Sequence, residues 1–172
     1  MRVVVGMSEK LNQKINPLSS IIKDVEGTPG SHMYLCFPSI SEDYVYEAVF
    51  PQVRRISKKE WLKQNRIVEE ISLEIKNSSV ATVQQFLLQY LGKPYSILQL
   101  FVIYATKLNA YIARIFIKNN LNKGRALICS EFIARFLSRF FGVDFGESFD
   151  TIGLKEVWGA LLSLAKQQEK IC

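Results

Sequence analysis

Residues 126–134 read Ala126-Leu127-Ile128-Cys129-Ser130-Glu131-Phe132-Ile133-Ala134 and place a cysteine at the entrance to an amphipathic helix. Apolar residues follow at Ile133, Phe136 and Phe140, in steps of four and three that mark one helix face, and Gly142 is placed to end it. In a first helical turn the unpaired backbone N–H groups and the macrodipole favour a thiolate over a thiol. A nucleophilic cysteine also needs a base to take its proton. The chain of 172 residues holds one histidine, His32, so an imidazole base can only be that residue. Cysteine also fills helix cores as a small hydrophobe, so the surroundings of His32 decide the matter.

Working outward from the helix, Ser31-His32-Met33-Tyr34-Leu35-Cys36-Phe37 alternates as a strand. His32, Tyr34 and Cys36 fall on one face and Met33, Leu35 and Phe37 on the other. Cys36 either lines a site beside His32 or packs. Residues 38–43 form a turn, and residues 44–50 return as the second strand of an antiparallel hairpin. Glu47 lies in that strand, where its carboxylate can share a face with His32 and orient the imidazole. A helix packed across the sheet would bring Cys129 up to His32.

Around this centre, residues 2–7 read as a buried strand ended by Gly6 and Ser8, and residues 17–25 as a helix closed by Gly27. Residues 52–56 are extended. Ser57-Lys58-Lys59-Glu60 is a capping box ahead of Trp61. Residues 68–75 form a strand with one wet face, and Ser78 caps a helix running to Gly92. Asp150 or Thr151 caps a last helix running through Leu164. Glu131 is expected to pair with Arg135 at i,i+4 on the wet face of the cysteine helix. The fold class is therefore α+β, one domain over 1–172, with a small antiparallel sheet, the Cys129 helix packed on it and further helices outside.

Hydrophobic residues at 48% and charged residues at 22% are ordinary globular composition. The net charge of +6 suits an anionic membrane or cell-wall surface. The basic residues are scattered and not interleaved with aromatics, so no specific nucleic-acid partner is expected. Cys36, Cys129, Cys172 and the single histidine stand at no metal-ligand spacing, and no metal or other cofactor is expected. The lack of a disulfide framework and of a signal-peptide run points to a cytoplasmic protein. Residues 96–117 read as an apolar helical segment interrupted by Lys107 and Arg114. Crossing a bilayer takes about 20 apolar residues, so this segment is expected to be a buried or interfacial helix.

Four pieces stand in one order: Ser31-His32-Met33-Tyr34, then Tyr46-Glu47-Ala48-Val49 with Gln52-Val53-Arg54, then Gly92-Lys93-Pro94-Tyr95, then Cys129-Ser130-Glu131-Phe132. Together they resemble the circularly permuted papain-like thiol hydrolases, the YiiX-like group related to NlpC-type cell-wall peptidases, including small bacteriophage proteins. The resemblance implies a papain-like fold with Cys129 as nucleophile, His32 as general base and Glu47 as the orienting third residue. Tyr95 matches the tyrosine of the Gly-x-Pro-Tyr element and would support the oxyanion. The implied substrates are peptide or other amides such as those of peptidoglycan. Two other readings stay open: acyl hydrolysis or transfer on a lipid by the same triad, and a non-enzymatic, virion-like interaction protein that keeps the fold. The chain departs from the family pattern where Tyr34 replaces a glycine two places after the histidine, and where Pro29-Gly30 replaces a Gly-Asp pair.

Overall fold

The computed structural model describes residues 1–11, 17–76, 78–97, 99–100, 126–146 and 149–169. Five strands form one antiparallel sheet: β1 (Arg2–Lys10), β2 (His32–Phe37), β3 (Tyr44–Val49), β4 (Gln52–Ser57) and β5 (Asn65–Glu74), in the order β4-β3-β2-β1-β5. The helices are α1 (Pro17–Glu26), α2 (Lys58–Leu62), α3 (Val80–Tyr90), α4 (Cys129–Phe141) and α5 (Leu154–Glu169). The architecture is α+β, as the sequence implies.

The sheet is buried on both faces, unequally. Alternation along β1 sends Val3, Val5 and Met7 to one side, where Met33, Leu35 and Ala48 join them under Phe132, Ile133 and Phe136 of α4 and Val157 and Leu161 of α5. Phe136 is fully buried and touches Phe37, Phe86, Phe140 and Phe141 edge-on or tilted, which locks α4 to β2 and α3. On the opposite side a smaller cluster of Val4, Tyr34, Cys36 and Val45 is closed by Trp61 from α2.

Several boundaries differ from the sequence reading, each for a local reason. Gly6 does not end β1. It stands opposite Tyr34, whose ring covers it so closely that a Cβ would lie 2.3 Å from Tyr34 Cζ. Residues 52–56 are not merely extended; β4 pairs with β3 from Val49↔Gln52 to Tyr44↔Ser57. Half of the predicted capping box forms, with Ser57 Oγ accepting from Glu60 N at 3.3 Å, while the Glu60 carboxylate holds Lys63 at 2.7 Å. Ser79, not Ser78, caps α3. Asp150 and Thr151 fall in a 3-10 turn. The N-terminus of α5 is met instead by Glu26 at the end of α1, whose Oε2 accepts from Lys155 N at 3.3 Å.

The segment expected over 96–117 lies outside the described residues beyond Leu100. Its start is described: Ser96 Oγ accepts from Gln99 N at 3.1 Å and Ser96 O from Leu100 N at 3.2 Å. Among the described residues no helix is long and apolar enough to cross a membrane.

Candidate active site

His32 is the first residue of β2, and the turn before it is built to press that end of the strand against β1. A Cβ on Gly30 would lie 3.0 Å from Met7 Cβ and 3.1 Å from Ser8 O, so the chain passes β1 more closely than a side chain ordinarily fits. Thr28 Oγ1 donates to Gly30 O at 2.8 Å, Ser31 N donates to Ser8 O at 3.2 Å, and His32 then pairs with Ser8. Pro29-Gly30 therefore does local work in placing the histidine.

The β2–β3 register runs Phe37↔Tyr44, Cys36↔Val45 and Leu35↔Tyr46. Carried one step on, it sets Glu47 opposite Tyr34 and diagonal to His32, within reach of a long side chain. Glu47 Oε2 meets His32 Nε2 at 2.8 Å. The carboxylate is fully buried and completely engaged. Trp61 Nε1 donates to the same Oε2 at 2.9 Å, while Arg54 places Nε at 2.8 Å and Nη2 at 2.6 Å from Oε1.

Cys129 is the first residue of α4, behind an N-cap residue, Ile128, that makes no side-chain capping bond. The Gly92–Tyr95 segment sets its position. Val53 N donates to Lys93 O and Tyr95 N to Pro51 O, which fastens the segment to the start of β4. Leu127 N donates to Pro94 O at 2.9 Å and Ser96 N to Leu127 O at 3.0 Å, which fastens it to the residue two before Cys129. The thiol is 5% exposed. The His32 side chain and the backbone N–H groups of Met33 and Ser130 bear on the sulfur and favour its thiolate. With Nε2 turned to Glu47, Nδ1 is the ring nitrogen that the carboxylate leaves unengaged.

The electrostatics follow from these contacts. Burial alone would push the imidazole down, but hydrogen bonds to Cys129 and Glu47 and the charges of both raise His32 to about 9. Burial would raise Glu47, yet the hydrogen bond and charge of His32, the Trp61 donor and the Arg54 charge hold it at about 2. Burial would likewise raise the Cys129 thiol; the imidazole and the two backbone N–H groups overcome it and lower the thiol below its ordinary value. These shifts act in favour of a thiolate–imidazolium pair backed by a carboxylate. Cys36 is the contrast: fully buried beside Tyr34 and Trp61, it packs, and burial pushes it up to about 11.

The structure thus brings Cys129, His32 and Glu47 together and joins Tyr95 to them through its backbone, the half-buried Tyr95 ring packing on the core. Glu131 does pair with Arg135, at 2.6 Å, but it is fully buried and also accepts from Gln99 Nε2 at 2.8 Å. The wet face expected there is covered. Sequence reading gave no site role to two residues that grip Glu47. Arg54 stands directly across the hairpin from it, a cross-strand charge pair readable once the strands are aligned. Trp61 arrives from a helix folded under the sheet, which no local pattern announces. Among the described residues no group of three or more His, Cys, Asp or Glu side chains is arranged to hold a metal ion. No protein-family model matches the chain, and no curated protein matches it.

Proposed function

We propose that the chain is a cysteine hydrolase of the permuted papain-like kind, acting on amide bonds through a thioester acyl-enzyme. The observation that carries this reading is a single imidazole that is bonded at 2.8 Å through Nε2 to a buried carboxylate and favours the thiolate of a helix-head cysteine. Cys129 Sγ attacks the carbonyl carbon, and the resulting oxyanion is met by backbone N–H groups at the start of α4, with Tyr95 in the adjoining segment as further support. The His32 imidazolium gives its proton to the leaving nitrogen as the C–N bond breaks, leaving a thioester on Cys129. Neutral His32 then takes a proton from water, hydroxide adds to the thioester carbon, and the proton returns to the departing sulfur. Glu47 holds the ring in one orientation throughout. Peptides of the cell-wall type are the substrates that the resemblance favours.

The test is alkylation of Cys129 by iodoacetamide across pH, read by mass spectrometry, beside turnover of peptidoglycan-derived peptides. Cys129 is expected to react well below the pH at which an ordinary thiol does, and Cys36 only after unfolding. His32→Ala should remove the early reaction, and Cys129→Ala and His32→Ala should each abolish turnover with the circular dichroism spectrum unchanged. Turnover that survives His32→Ala would sink the proposal.

A further inference from the structure

Glu47 is gripped asymmetrically. Arg54 meets Oε1 through Nε at 2.8 Å and Nη2 at 2.6 Å, while Oε2 is left to His32 and Trp61. Anchoring the hairpin does not require this arrangement. The β3–β4 ladder is continuous from Tyr44↔Ser57 to Val49↔Gln52, and Val53 is bonded on its other side to Lys93. Arg54 is about a third exposed, whereas the carboxylate it faces is fully buried. One oxygen therefore meets a charge and the other meets the ring.

We infer that Arg54 is an electrostatic positioning residue for the candidate triad, offsetting the charge of Glu47 so that the carboxylate orients His32 while holding its proton less tightly than it would alone. The inference rests on the catalytic reading above and adds to it how the proton affinity of the imidazole is set. A bare buried carboxylate against an imidazole holds the ring protonated over a wide pH range, and a ring that cannot release its proton can neither protonate a leaving amine nor deprotonate water. A guanidinium on the far oxygen offsets that field while leaving the hydrogen-bond geometry on Oε2 untouched. Among the described residues, the other charged or titratable groups that feel this cluster are Cys129 from α4, Tyr34 from β2, which feels Glu47, and Lys10 at the end of β1, which feels both Glu47 and Arg54. Beyond the Tyr34 ring lies the Lys58–Glu70 ion pair, at 2.9 Å.

Because His32 is the chain's one histidine, its Cε1–H signal in a carbon–proton NMR titration is unambiguous and needs no substrate. The charge role and a mere anchoring role predict opposite signs. Loss of an anchor would loosen Glu47 and lower the His32 pKa. Loss of a cancelling charge raises it, by about one unit in Arg54→Met. Arg54→Lys, which keeps the charge on a single donor, should stay near the wild type. Glu47→Gln should lower the value, and the Glu47→Gln/Arg54→Met double variant, neutral again, should titrate above Glu47→Gln alone. The early limb of Cys129 alkylation should move in the same direction as the ring. A fall or no change in Arg54→Met, with the wild-type ring still well above an ordinary histidine, overturns this inference alone. A wild-type ring that titrates as an ordinary histidine overturns the catalytic reading and this inference together. Should Arg54→Met not fold, Arg54→Lys and Arg54→Gln supply the same comparison, with the rise in Gln and its absence in Lys deciding.

Discussion

Replacing Glu47 by glutamine should change how the protein responds to acid, by an amount that follows from the site. Glu47 is wholly buried and held at about 2, against an ordinary 4.5. Its folded value lies below its unfolded one, so the stability it contributes is complete above pH 4.5 and is lost as pH falls toward 2. Over that interval, at about 1.36 kcal/mol per pH unit, the contribution is about 3 kcal/mol, of which about 2 kcal/mol is gone by about pH 3. The assay is urea unfolding followed by circular dichroism, near pH 6 and near pH 3, for wild type and Glu47→Gln. Other carboxylates also titrate over this range, Glu9 among them, since its hydrogen bonds to Lys23 and Arg66 overcome the opposing effect of burial and lower it. Those contributions are common to both proteins and cancel, so the difference between the two losses reports Glu47 together with its pairing to His32. The variant should be weaker near pH 6 and lose about 2 kcal/mol less than wild type on going to about pH 3. Equal losses in the two proteins would show that the carboxylate does not enter the folded state as a stabilised anion, and would remove the basis for its orienting role.

Two further outcomes test the packing that carries the site. Gly6→Ala puts a methyl group 2.3 Å from the Tyr34 ring, and overpacking of this kind should cost about 1–3 kcal/mol in urea unfolding. The paired change Gly6→Ala with Tyr34→Phe would not restore the loss, because the ring carbons collide as well as the hydroxyl. Phe136→Ala empties the centre of the aromatic cluster between α4, β2 and α3 and should cost about 3–5 kcal/mol by thermal or urea unfolding. A loss under about 1 kcal/mol would mean that the cluster closes over the gap.

What could be read from the chain beforehand depended on how far apart the deciding residues lie. The His32–Glu47 pair was legible because strand alternation and a short hairpin leave little freedom in register. Cys129 at the head of its helix was legible from the step of four and three. The face of Glu131 was misjudged because a charged residue at i,i+4 from an arginine looks solvated, whereas Gln99, from a segment far away in the chain, covers it. Gly6 looked like punctuation because the ring that needs its empty side belongs to another strand. Trp61 read only as the first apolar residue after a cap; its indole N–H finds Glu47 because α2 turns under the sheet. In each miss the controlling contact is non-local.

The Gly92–Tyr95 segment has a consequence in time as well as in space. His32, Glu47, Arg54 and Trp61 leave the ribosome first, on consecutive strands and one short helix that can pair at once. Cys129 follows much later, and its seat is defined only when Leu127 meets Pro94 and Ser96. A nascent chain therefore has the partners of Glu47 in place before Cys129 emerges, and the seat of the sulfur is completed only after residue 129 has been made.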